Sequence, residues 1–199
     1  MNKIILIGGA PTVGKSFVAQ KLSEDLKLPW ISTDIVRTVM QKTVKKVDYP
    51  NLFYPASAGA QAYLETSSPQ KIVDDQNKES ADVWRGVEGM IRTQETWDSF
   101  IMEGVAVLPE YVFSLMKDEK NMQAIFLYEE RADRIREVVF NRGLWADADK
   151  YSNELKEKEV EWVLLFNQFI KEEATKYGFP LIQYKDDGSH FEEKKKLLV

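Results

Sequence analysis

A strand–turn–helix stretch at residues 4–16, IILIGGAPTVGKS, decides the fold of this chain. It contains the pattern G-x-x-x-x-G-K-[ST], whose defining residues are Gly9, Gly14, Lys15 and Ser16. Glycines let the backbone wrap a phosphate so that consecutive N–H groups point at the anion. The helix that follows adds the positive end of its dipole. We therefore expect a nucleoside triphosphate to bind here.

The residues of this loop have separable roles toward a bound nucleotide. Lys15 can reach the β- and γ-phosphates, and the Ser16 hydroxyl is suited to ligate Mg²⁺. The predicted ligands are ATP and Mg²⁺. A chance glycine turn is the alternative, and the flanking strand and helix disfavour it. Nucleotide contacts are expected along the whole loop: Gly9, Ala10, Pro11, Thr12, Val13, Gly14, Lys15, Ser16 and Phe17.

Composition narrows the possible partners. The 199 residues suit one domain, residues 1–199, with 44% hydrophobic and 30% charged side chains. The net charge is −5 and no basic cluster could follow a nucleic-acid backbone, so nucleic acid is not an expected partner. The absence of cysteine excludes disulfides and thiolate metal sites.

With no apolar run of membrane-spanning length and no room for a signal peptide before the first strand, we expect a cytoplasmic protein without membrane contact. The oligomeric state is left open.

Short apolar runs alternate with longer amphipathic ones, which is typical of an α/β fold with a parallel sheet. With the phosphate-binding loop after the first strand, five parallel strands and their crossover helices predict a three-layer P-loop kinase core, with helices on both faces of the sheet and a lid. Helices are expected at about 130–141 and 153–177. The predicted strands lie at about 4–7, 30–32, 100–102, 124–128 and 180–184.

Two segments are expected to flank the active cleft. Residues 45–77 mix prolines, serines and aromatic residues without a clear period, so an irregular substrate-side insertion is expected there. Phe53 and Tyr54 of this segment could stack on the base of a nucleoside or nucleotide acceptor. Residues 131–152 carry several arginines after the fourth strand and are expected to form a lid.

Carboxylates follow the second and third predicted strands. If the third strand lies beside the first, Glu103 emerges next to Lys15 and Ser16 at the sheet edge where α/β folds bind ligands. It could hold Mg²⁺ through water or accept a substrate proton, or it could simply face solvent. Asp34 could cap the helix that follows it or accept a proton from an attacking hydroxyl, and Thr33 could supply the cap instead.

Several arginines are candidates for binding anions. Arg37, one helical turn after Asp34, could bind an anionic substrate. Arg134 and Arg142 are the preferred lid arginines for stabilising the transferring phosphoryl group, while one or two of the four arginines in this segment (Arg131, Arg134, Arg136 and Arg142) are expected to be surface charges. Arg85 and Arg92 lie two turns apart on one helix and either bind a substrate anion or form a solvated face. His190, the single histidine, is not expected to be catalytic.

The motifs together resemble a known family. The segments GGAPTVGKS (8–16), ISTDIVR (31–37) and IMEGVAVLPEYV (101–112) are similar to the catalytic region of 2-phosphoglycerate kinase-like proteins. The resemblance runs over about residues 3–184 and is weak between 45 and 77. Ala106 stands where the family usually has histidine, and Glu110 where glycine is common. The resemblance implies transfer of the ATP γ-phosphate to a hydroxyl of a small acidic metabolite.

This resemblance assigns Lys15 and Ser16 to the nucleotide and Mg²⁺, and Asp34, Arg37 and Glu103 to the acceptor. Adding the arginines considered above from their positions in the sequence, we expect catalysis from Lys15, Asp34, Glu103, Arg134 and Arg142, and substrate binding from Asp34, Arg37, Arg85 and Glu103. A nucleoside, nucleotide or sugar-nucleotide kinase is the alternative within the same chemistry. A nucleotide-dependent switch or regulatory ATPase is the alternative from another class.

Overall fold

A computed structural model describes residues 3–53, 59–93, 98–145 and 147–185 of the chain. Five strands form one parallel sheet with the order β2-β3-β1-β4-β5. This confirms the predicted five-stranded parallel sheet, including the third strand beside the first. The strands are β1 (Ile4–Gly9), β2 (Trp30–Ser32), β3 (Phe100–Glu103), β4 (Met122–Tyr128) and β5 (Leu181–Gln183).

Helices connect these strands and cover the sheet. None of them, within the described ranges, has the length and apolar character needed to span a bilayer. Short 3₁₀ turns occur at Asn51–Phe53 and Ala148–Lys150. The helices are α1 (Lys15–Leu26), α2 (Thr33–Thr43), α3 (Ala60–Thr66), α4 (Pro69–Arg92), α5 (Pro109–Leu115), α6 (Ala132–Arg142) and α7 (Asn153–Lys176).

The central strands are apolar on both faces because helices pack on both sides of the sheet. Every residue of β1 is buried, and β1 lies between β3 and β4. In the β1–β3 register Ile7 is opposite Glu103, so the carboxylate follows directly beside the glycine-rich loop. The sheet thus delivers two sequence-distant segments, the loop and Glu103, to one edge.

The prediction that residues 45–77 are irregular is wrong for the second half of that segment. Helix α3 and the beginning of α4 lie within it. Ser68 caps α4 by accepting a hydrogen bond from the Lys71 backbone N–H (3.2 Å), and Pro69 occupies the first turn, where proline is favourable. The Ser-Pro pair therefore starts a helix instead of marking a loop. Tyr54 and the rest of 54–58 lie outside the described residues.

Candidate functional site

The glycine-rich loop joins β1 to α1 in a conformation suited to an anion. Gly14 stands at the N-cap of α1 with φ 80°, a left-handed conformation that glycine adopts without steric cost. No side chain of the described residues caps this helix. Its first-turn N–H groups are therefore available to a phosphate, together with the positive end of the helix dipole.

A cleft of about 630 Å³ opens over this loop and gathers most of the predicted site. Ala10 and Val13 are buried beneath it, and Gly9 ends β1, so these three residues shape the loop from below. Phe17 is exposed at the cleft wall. The predicted site residues that line the cleft are Pro11, Thr12, Gly14, Lys15, Ser16, Phe17, Asp34, Arg37, Glu103, Arg134 and Arg142.

Lys15 is the buried cation at the floor of the cleft. Its Nζ donates a hydrogen bond to the Ala10 carbonyl oxygen across the loop (2.6 Å). Burial lowers the pKa of Lys15 to about 8; the charges of Glu103 and Asp34 oppose this shift, and Arg142 adds to it. Four charged groups thus act on one another at the point where a phosphate would sit.

Ser16 and Glu103 form the pair expected to hold a divalent cation. The Ser16 hydroxyl donates to Glu103 Oε1 (3.2 Å), and Glu103 is almost fully buried. Among the described residues no group of three or more acidic, histidine or cysteine side chains makes a metal cage. One carboxylate and one hydroxyl nevertheless fit Mg²⁺, which usually keeps several waters and binds substrate phosphates.

Asp34 is not the helix cap that the sequence suggested, and neither is Thr33. Ser32 caps α2, because its Oγ accepts the Asp34 backbone N–H (3.3 Å). The Asp34 side chain is 65% exposed and lines the cleft. Since the capping role belongs to Ser32, the Asp34 carboxylate remains available to a ligand.

Arg37 is held by two carboxylates, one of which the sequence did not indicate. Its Nη2 lies 3.5 Å from Asp34 Oδ1, and its Nη1 lies 3.4 Å from Glu79 Oε2 on α4. Glu79 also accepts a hydrogen bond from Gln76 (3.0 Å), which lines the cleft. Burial raises the pKa of Glu79, against the charge of Arg37 and the hydrogen bond from Gln76. The long helix α4 thus supports the side of the cleft that carries Arg37.

Arg134 of α6 is a partly buried residue that lines the cleft. Its Nη1 donates to the Thr12 carbonyl oxygen (3.1 Å), and its guanidinium carbon lies 3.4 Å from the centroid of the Tyr184 ring. Its Nε lies 3.6 Å from Oε2 of the fully buried Glu129. Tyr184 and Glu129 were not predicted; both follow a strand by one residue, a position at the ligand-binding edge of the sheet.

The other arginines of residues 131–152 differ in whether they line the cleft. Arg142 is exposed at the end of α6, lines the cleft, and makes no ion pair among the described residues. Arg131 binds Glu129, and Arg136 pairs with Glu157 on the outer surface. Only Arg134 and Arg142 of this group reach the cleft.

Arg85 and Arg92 are not brought to the cleft. The guanidinium of Arg85 lies 5.2 Å from the Tyr49 ring centroid, and Arg92 pairs with Glu88, Asp118 and Glu119. Arg85 is therefore away from the position predicted for it. His190 lies outside the described residues.

The expected lid segment supplies an apolar wall. Val138 of α6, with Leu144 and Trp145 after it, lines the cleft. The Trp145 ring packs against Trp162 of α7 with centroids 6.0 Å apart. An apolar wall next to the charged floor lowers the local polarity, and this strengthens charge–charge interactions with a bound phosphate.

Comparison with known proteins identifies relatives by sequence. The chain is 30% identical over 188 residues to the 2-phosphoglycerate kinase of Methanocaldococcus jannaschii, an alignment covering 90% of this chain and 58% of that protein. It is 28% identical over 195 residues to the 2-phosphoglycerate kinase of Methanothermobacter thermautotrophicus, covering 92% and 61%. The chain thus spans about 60% of the length of these curated relatives. No protein-family profile matches.

Solved structures support the fold. A gluconokinase from Sinorhizobium meliloti superposes with a TM-score of 0.57 at 12% identity, covering 99% of this chain and 91% of that one. Shikimate kinase from Bacteroides thetaiotaomicron gives a TM-score of 0.55 at 14% identity, covering 98% of both chains. The chain has the fold of P-loop kinases and resembles the 2-phosphoglycerate kinases in sequence.

Proposed function

We propose that this chain is a kinase that transfers the γ-phosphate of ATP, with Mg²⁺, to a hydroxyl of a small anionic metabolite similar to 2-phosphoglycerate. One observation carries the proposal. A single cleft holds the phosphate-binding set of Lys15, Ser16 and Glu103 together with the exposed carboxylate of Asp34 and the guanidinium of Arg37. A donor site and an acceptor site within one cleft are what direct phosphoryl transfer needs. The curated relatives bear the corresponding name.

Each side chain then has a definite task. The loop N–H groups and Lys15 bind the β- and γ-phosphates, and Asp34 orients the acceptor hydroxyl and accepts its proton. Arg37 binds the anionic group of the acceptor with the N–H donors that Asp34 and Glu79 leave open. Arg142 neutralises charge on the transferring group, and the wall of Leu144 and Trp145 excludes water. Mg²⁺, held by Ser16 and Glu103, would neutralise phosphate charge when bound.

The peripheral segments complete the proposal. We assign residues 45–77 to acceptor selection and residues 131–152 to a lid over the phosphates. We place the chain in the cytoplasm, and the net charge of −5 supports binding to small molecules over binding to nucleic acid.

The proposal is tested by measuring ADP release from ATP and Mg²⁺ with and without a panel of acceptors. The panel contains 2-phosphoglycerate, 3-phosphoglycerate, glycerate, gluconate, shikimate and nucleosides. A kinase releases little ADP when no acceptor is present. With its acceptor it releases one ADP for each acceptor molecule that becomes phosphorylated. Steady hydrolysis that no acceptor stimulates would overturn the proposal in favour of a regulatory ATPase. If nucleosides are the only members of the panel that are phosphorylated, the proposed acceptor class is rejected and the proposed kinase activity is retained.

Replacing Glu79 by glutamine should weaken acceptor binding. The neutral amide no longer balances the charge of Arg37, so the guanidinium loses its fixed orientation. We expect KM for the acceptor to rise about tenfold while the Kd for ATP changes less than about twofold. Steady-state kinetics measure the first and calorimetry the second. E88Q on the same helix, which disturbs only the surface pair with Arg92, is the control. Equal losses in both variants would contradict the assignment.

Replacing Arg142 by alanine should slow the chemical step. The side chain is exposed, lines the cleft and contributes positive charge at Lys15, so its removal leaves negative charge on the transferring group less well neutralised. We expect kcat to fall about 100-fold with little change in nucleotide Kd. R136A is the matched control on the same helix, because Arg136 pairs with Glu157 outside the cleft. An unchanged kcat for R142A would remove Arg142 from the mechanism.

A further inference from the structure

The phosphate loop contains a backbone conformation that its sequence does not favour. Thr12 has φ 72°, in the left-handed region, although it is a β-branched residue and not a glycine. Such residues rarely adopt this conformation, since the Cβ crowds the following peptide. The Thr12 hydroxyl is buried and finds no hydrogen-bond partner among the described residues, so the side chain does not secure its own backbone.

The carbonyl oxygen of this strained residue is held by a distant side chain. Arg134 Nη1 donates to Thr12 O at 3.1 Å across 122 residues of sequence. A backbone carbonyl so bound cannot rotate away without losing a hydrogen bond from a charged donor. The contact therefore opposes relaxation of Thr12 toward the ordinary negative-φ region.

Arg134 is itself fixed from two sides. Its guanidinium lies 3.4 Å from the centroid of the Tyr184 ring, and the same ring lies against Gly14, where an added Cβ would be 3.5 Å from Tyr184 Cε2. Its Nε faces the buried carboxylate of Glu129 at 3.6 Å. The side chain of Arg134 is 14% exposed. A mobile lid arginine would have neither this burial nor these partners.

Glu129 in turn is anchored to the body of the fold. Its backbone N–H donates to Asn167 Oδ1 of α7 (2.8 Å), and Arg131 binds its carboxylate with Nε and Nη2. Burial raises the pKa of Glu129, but the hydrogen bonds and charge of Arg131, with Arg134, outweigh it and hold the pKa below its ordinary value. Glu129 thus supports Arg134 from a backbone bound by Asn167 and a carboxylate bound by Arg131.

We infer that Arg134 is a positioning residue of the phosphate loop, holding Thr12 in its left-handed conformation so that the loop is preorganised for nucleotide. The inference rests on the proposed function insofar as the loop binds nucleotide. It differs from a catalytic role for Arg134, because a catalytic arginine acts on the transferring phosphoryl group and not on the loop backbone. It also divides the lid arginines: Arg142 acts on the phosphate, and Arg134 acts through Thr12.

The test is a double-mutant cycle between Arg134 and Thr12, with the Kd for ADP and Mg²⁺ measured by calorimetry. R134A should raise this Kd at least about tenfold in the wild-type background, because the loop relaxes. Glycine adopts left-handed φ freely, so T12G removes the strain that Arg134 opposes, and the Kd of T12G alone is the reference for that background. In the T12G background, R134A should then cost less than about threefold.

Three further variants sharpen the result. T12A removes the hydroxyl but keeps Cβ and hence the strain, so R134A should remain as costly in T12A as in the wild type. R136A, on the same helix, should leave the Kd unchanged. If R134A does not fold, R134K takes its place in the cycle, because lysine keeps the charge beside Glu129 but lacks the planar fork.

Coupling between R134A and T12G, absent with T12A, supports the inference. Equal costs of R134A in the wild-type and T12G backgrounds would overturn it. A lower kcat with an unchanged Kd for ADP would also overturn it, in favour of a catalytic role. Failure of the wild type to bind ADP would instead reject nucleotide binding, and with it both this inference and the proposed function.

Discussion

Replacing Lys15 by methionine is expected to lower the rate of phosphoryl transfer at least about 100-fold and to weaken ATP binding about tenfold. Lys15 is the buried cation at the cleft floor, and its ammonium group can turn from the Ala10 carbonyl oxygen to a phosphate. Methionine keeps the length and volume of the side chain but removes the charge. Coupled-assay kinetics and calorimetry measure the two effects.

The melting temperature and the pH dependence of ADP binding distinguish this loss of activity from unfolding of K15M. Methionine carries no charge to desolvate at a buried position, so K15M should melt at or above the wild-type temperature. Because the pKa of Lys15 is about 8, the wild-type affinity for ADP should fall as pH rises through 8, since the ammonium form is lost. K15M should lack this pH dependence. K21M on the same helix, where Lys21 pairs with Glu24 on the surface, should match the wild type in all respects. A fully active K15M would contradict the proposed function.

Replacing Asp34 by asparagine is expected to lower kcat between about 100-fold and 10⁴-fold, with the ATP Kd unchanged. The amide keeps the shape of the carboxylate but cannot accept a proton from the attacking hydroxyl. Because Ser32 caps α2, the substitution does not remove a helix cap. The loss is therefore expected in the chemical step and not in folding, which single-turnover kinetics and thermal melting distinguish.

Two controls isolate the role of Asp34. D74N changes an exposed acid that accepts a hydrogen bond from Gln70 outside the cleft, and should have no effect. R37A tests whether Asp34 acts only by holding Arg37. If it does, D34N and R37A would each raise the acceptor KM and their effects would not add. A kcat loss in D34N that exceeds that of R37A supports proton acceptance; turnover unchanged in D34N would reject it.

Local sequence was sufficient for most of the fold. The five strands are short apolar runs and the phosphate loop is a contiguous pattern, so both could be read without knowing the remainder of the chain. Misassignment occurred where local signals were ambiguous. Ser68 and Pro69 suit either a turn or a helix start, and the packing of α4 against its neighbours decides for the helix.

The cap of α2 is a second feature that the local sequence could not predict, and it concerns Asp34, a residue of the proposed site. Ser32, Thr33 and Asp34 are all good capping residues, so sequence could not choose among them. The choice depends on where β2 ends, and β2 ends where Ser32 pairs with Glu103 of β3. A contact between strands about 70 residues apart therefore decides that the Asp34 carboxylate is available to a ligand.

The amino-acid sequence by itself determined the phosphate loop, the individual strands and the carboxylates that follow them, because each depends on neighbours within a few residues. Only the tertiary structure decided which charges work together. Arg37 meets Glu79 across 42 residues, and Arg134 meets Thr12 across 122. Arginines of one helix look alike in sequence, and folding alone turns one toward the loop and another toward solvent. Charge pairing acts through space over a few ångströms, so its partners are set by packing and not by order along the chain.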